Sequence, residues 1–157
     1  MDKKCKQILH EGIWSIKVLE KMTHPDIYAV HQCARFTSDP RELHKQAVLR
    51  IGRYLLVTRE EGIIFKTGKE QNMELWYNGD FCGNWMRDTV HVNKTTAKSR
   101  TGYEVMYAGC LVTWASKMQT EVALITTEVE LIAMSEGLRM AISLMNLRDK
   151  MAEQGIR

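Results

Sequence analysis

Residues 75–85 read LWYNGDFCGNW and residues 126–138 read TTEVELIAMSEGL, and between them they hold the side chains best suited to phosphodiester chemistry. Asp80 and Glu130 offer carboxylates, the ligands that magnesium prefers. Two such ions about 4 Å apart activate water for hydrolysis, and one anionic ligand must bridge them. In an extended strand Asn78 lies on the same side as Asp80, so an amide stands beside the carboxylate. A neutral amide oxygen is a poor bridging ligand, so of this pair only Asp80 could serve as one. Each of these residues also has a purely structural reading. Asn78-Gly79 is a favoured turn dipeptide. Thr127-x-x-Glu130 fits a capping box, in which the glutamate returns to the backbone at a helix start.

Other residue types narrow the chemistry. Cys5, Cys33, Cys82 and Cys110 are widely spaced with no CxxC pair, which argues against a zinc site and a disulfide framework. The five histidines lack HxxxH or HExxH spacing. Trp76, Trp85 and Trp114 could stack on bases, although tryptophans beside strands more often pack at a core or its rim. Lys98 and Arg100, with Ser99 and Thr101, could contact phosphates from a loop or simply be solvated.

Charge is placed unevenly. Residues 1–67 hold 12 Lys/Arg against 8 Asp/Glu, a net of +4, whereas residues 68–157 hold 10 against 11, a net of −1. A basic front half suits a phosphate-contacting surface, and a solvated charged face explains it equally well. The longest apolar stretch, 133–147, is broken by Glu136, Arg139 and Asn146, which is too short for a membrane span. The basic start MDKKCKQILHEG has no apolar run after it, so a secretory signal is not expected and an intracellular protein, cytoplasmic or nuclear, is.

These residues need elements to hold them. His24-Pro25 opens an expected helix to Phe36, with Ile27, Val30 and Ala34 as its apolar stripe. SDPREL predicts the next helix, with Asp39 as cap, Pro40 in the first position and Glu42 three residues after the cap, running to about Val57. Leu43, Ala47, Val48, Ile51, Tyr54 and Leu55 share one face, and Gln46, Arg50 and Arg53 point the other way. IIFKT is expected as a short strand, and the polar 67–72 segment separates two regions, 1–67 and 68–157. Beyond it MELWY, GYEVMYAG and LVTWAS form an antiparallel three-stranded meander, with a tight turn at Gly109-Cys110. Residues 86–100 are expected as a surface loop. A final helix runs from about Thr127 to Glu153, ending by Gly155.

HPDIYAVHQCARFTSDPRELHKQAVLRIGRYLLVTREEGIIFK resembles the stretch after the polymerase palm in copia-type retrotransposon polyproteins. LWYNGDFCGNW, TAKSRTGYEVMYAGCLVTWASKMQTEVAL and TTEVELIAMSEGLR resemble the ribonuclease H domain of the same polyproteins. The likeness covers roughly residues 20–150, in the family's order. It implies an α/β chain: a thumb or connection remnant over 1–67 and a truncated ribonuclease H-like domain over 68–157, its meander packed with the C-terminal helix.

The departures from the family are equally informative. Where the family writes Asp-Ala-Asp, this chain has Asn78-Gly79-Asp80, and the palm and the later ribonuclease H segments are missing. The resemblance places the family's metal positions at Asn78, in degenerate form, and Glu130, with Asp80 nearby. It therefore implies an ancestral magnesium-dependent cleavage of RNA in RNA–DNA hybrids, with catalysis lost and no tightly bound metal. Expected partners are a hybrid or other nucleic acid, contacted through Arg50, Arg53, Lys98 and Arg100. A further expectation is self-association through an open edge of the first strand.

Overall fold

The computed structural model describes residues 3–155 apart from positions 28, 38, 39, 69, 84, 86, 89, 90, 92 and 93. The chain divides into two compact units, Met1–Ile64 and Phe65–Arg157.

The first unit is helical. Helix α1 (Lys3–Met22) buries Leu9, Ile13, Ile16 and Glu20, a spacing of four, three and four that keeps one stripe inward. Its end is closed by the amides of Thr23 and His24, which both donate to the Leu19 carbonyl, with Pro25 following. Leu9, Ile13 and Ile16 recur at helical spacing, although no helix is expected over these residues from their sequence. Glu20 falls on that stripe and interrupts its apolar character. The helix expected over 25–36 is instead a short 3-10 turn (Pro25–Ile27) and the brief α2 (Val30–Ala34). Ile27 and Val30 are nonetheless buried as expected, beside Cys33, whose thiol is pushed up by that burial.

Helix α3 (Glu42–Val57) starts later than predicted. Its cap is Arg41, in extended conformation, and the Arg41 amide donates to Nδ1 of His44 at 2.9 Å. Asp39 lies outside the described residues. Only Val48, Ile51 and Leu55 of the predicted apolar face join the core; Leu43 and Tyr54 are exposed. The Tyr54 hydroxyl donates to Asp26, and that bond holds its phenol above the usual range.

The second unit is a mixed α/β arrangement. The segment expected as the strand IIFKT has no regular structure. Strands β1 (Met73–Asp80), β2 (Arg100–Tyr107) and β3 (Cys110–Met118) form an antiparallel sheet in the order β1-β2-β3, as the alternation predicts. Helix α4 (Thr126–Glu153) lies across β1 and β2. The hairpin turn sits at Ala108-Gly109, one residue earlier than expected, with φ of +50° and +78°. Two successive positive φ values give the primed turn that matches strand twist. The turn is clamped because the Ala108 amide donates to Asn72 and its carbonyl accepts from Gly68. A Cβ at Gly109 would meet nothing closer than 4.0 Å, so Gly109→Ala isolates the backbone term. It should cost about 1 kcal/mol, read as a lower urea midpoint with an unchanged slope.

Two glycines set how closely α4 approaches the sheet. A Cβ on Gly137 would lie 2.8 Å from Leu75 Cδ1, and one on Gly79 would lie 2.6 Å from Val129 Cγ1 and 3.0 Å from the Val129 carbonyl. Val105, Val129 and Ala133 are completely buried in the space between. Gln119, also buried, ties the end of β3 to the helix by donating to Thr101 Oγ1 and to the Val129 carbonyl, both at 3.1 Å. No helix among the described residues is long and apolar enough to cross a membrane.

Candidate active site

Asn78-Gly79 is not a turn. Both residues lie inside β1, paired with Gly102 and Thr101. Because Gly79 points at α4, alternation sends the side chains of Asn78 and Asp80 to the opposite face of the sheet. Both are exposed there, with Trp76 and Glu74. The side of the strand that faces the helix thus presents a bare α-carbon where the sequence offers its polar groups on either side.

Asp80 is held locally. A Cβ on Gly83 would lie 2.6 Å from Asp80 Cγ, so the carboxylate folds over the Gly83 backbone just after the strand. Cys82 adopts a φ of +49° in that bend, its amide donates to Ser99 Oγ at 3.2 Å and its thiol to the Ala97 carbonyl. Across the ladder Asp80 is paired with Arg100, whose Nη1 donates to Ser116 Oγ at 3.3 Å.

Glu130 is freed from the capping role that its spacing suggests. The helix begins after Ile125, without a side-chain cap bond, and it is Glu128 that reaches back to accept from the Leu124 amide at 2.8 Å. The physical cause is that the helix starts two residues earlier than that capping box requires, with Ile125 rather than Thr127 in the cap position, which makes Glu128 the third helical residue. Glu130 follows Val129 and is half-buried. Opposite it, Glu136 pairs with Lys117 of β3 at 3.0 Å. The 100° helical step then places Glu130 on the other flank of α4, toward the outer edge of β1.

Gly79 abuts Val129, the neighbour of Glu130, whereas Asn78 and Asp80 leave the strand on its opposite face. Among the described residues no group of three or more His, Cys, Asp or Glu side chains could hold a metal ion. A pair of magnesium ions needs several converging anionic oxygens, including a bridging one. One amide, one carboxylate folded over a turn and one glutamate on another face do not supply them, so the residues present do not fit the two-ion group.

The cations singled out as phosphate contacts have different surroundings. Lys98 donates from Nζ to the Thr120 carbonyl, fastening the segment after β3. Arg50 and Arg53 lie exposed on α3 in the first unit. On the open face of the sheet Glu74, Asp80 and Glu104 outnumber Arg100. Trp76 is 62% exposed on that face, its Nε1 donating to Glu74, and the carboxylates around it oppose a polyanion. Sequence reading missed the polar pair in the first unit, Glu20 with His31. Its signal was a glutamate on the apolar stripe of α1.

The chain is 35% identical over 109 residues to a Pol polyprotein of the transposon RE1 from Arabidopsis thaliana. It is 36% identical over 115 residues to that of the transposon TNT 1-94 from Nicotiana tabacum. The chain belongs to the retrotransposon Pol polyprotein family. The matches cover 69% and 73% of this Pol-family chain, but only 7% and 8% of those polyproteins. It is also similar to the secreted RxLR effector protein 161 of Plasmopara viticola, 32% identical over 132 residues, which are 83% of this chain and 87% of that protein. No family model matches the chain, and no solved structure matches it significantly.

Proposed function

We propose that this Pol-family chain is a copia-type fragment, the end of a reverse transcriptase followed by part of a ribonuclease H-like domain, and that it no longer hydrolyses RNA. The single observation that carries the loss of catalysis is the position of Asn78. The residue that the resemblance aligns with a metal-binding aspartate is an amide, and it leaves β1 on the face away from Glu130. Transition-state charge would go largely unstabilised without the bridging carboxylate. The order of the strands, the hairpin and the long helix that follows them supports the ribonuclease H ancestry. Residual contact with a hybrid rests on the exposed Arg50 and Arg53, as a salt-sensitive electrostatic attraction.

A labelled RNA–DNA hybrid incubated with the full chain, in magnesium and then manganese, tests the reading. Neither the native chain nor Asn78→Asp should cut above the blank, because restoring one carboxylate leaves the others unconverged. Cleavage by the native chain that disappears in Glu130→Gln would overturn the loss of catalysis. Retention of the hybrid at low salt, released as salt rises, is the expected binding behaviour.

A further inference from the structure

We draw no further inference here: the strongest candidate, the surface patch on α1 where His10, Lys17 and Lys21 flank the exposed Trp14, repeats the nucleic-acid contact already proposed for the end of a reverse transcriptase, and nothing in the structure shows what covers it.

Discussion

Replacing His31 by leucine should cost the helical unit about 3 kcal/mol, the largest single-residue effect expected in this chain. Glu20 is 2% exposed, and its Oε2 lies 3.1 Å from His31 Nε2. A carboxylate so placed has left bulk water, and the imidazole nitrogen offsets part of that loss through a partly buried hydrogen bond. Leucine fills the space but offers no polar atom, so the desolvated oxygen loses that partner. The double variant Glu20→Leu with His31→Leu distinguishes a missing partner from bad packing. A buried polar pair exchanged for apolar groups of similar size is often neutral or better, so the double variant should recover most of the stability. Amide hydrogen exchange across α1 and α2 reads the result for this unit alone. A double variant as damaged as the single would show that shape, rather than the polar pairing, is what these residues supply.

Gly79→Ala should destabilise the second unit by about 2 kcal/mol, within the range for forcing a methyl group into a packed contact. The added carbon would meet Val129 Cγ1 at 2.6 Å, which a rotamer change could relieve, and the Val129 backbone at 3.0 Å, which requires α4 to shift. Val129→Ala should cost a similar amount through lost burial, since that side chain is completely enclosed. Together the two changes exchange volume across one contact. The double variant should therefore be more stable than the sum of the single costs predicts by roughly 1 kcal/mol or more. Additive costs in urea unfolding would mean that the helix does not rest on Gly79. Gly137→Ala is the instructive contrast. Its nearest obstacle is the flexible end of Leu75, and alanine favours the helix by about 1 kcal/mol, so the net effect should be small.

Much of the second unit is legible in the sequence because its signals are local. MELWY, GYEVMYAG and LVTWAS alternate with period two, the Ala108-Gly109 turn is marked by its glycine, and α4 has the length and ending expected of it, closing at Gly155 with φ +74°. The first unit is less legible. The helix expected from Pro25 breaks into two short pieces, and α1, whose apolar stripe includes a glutamate, was not anticipated at all. Glu20 reads as a surface residue until its partner, eleven positions later, is known to lie beside it. IIFKT shows the opposite error: its residues favour a strand, but β propensity is realised only in a paired strand, and this segment pairs with none of the three.

The candidate site divides the same way. Residue types alone determined that the chain has an amide at position 78 and carboxylates at 80 and 130, and this suffices to question two-ion chemistry. Only the tertiary structure decided that Gly79 faces the helix, that Asn78 and Asp80 face away from it, and that Glu128 rather than Glu130 closes the helix start. Periodicity along a chain is fixed by backbone geometry and so can be read from the sequence. Which face meets a distant element depends on side-chain volumes summed across contacts between residues far apart in the chain, and here two missing methyl groups, at Gly79 and Gly137, settled it.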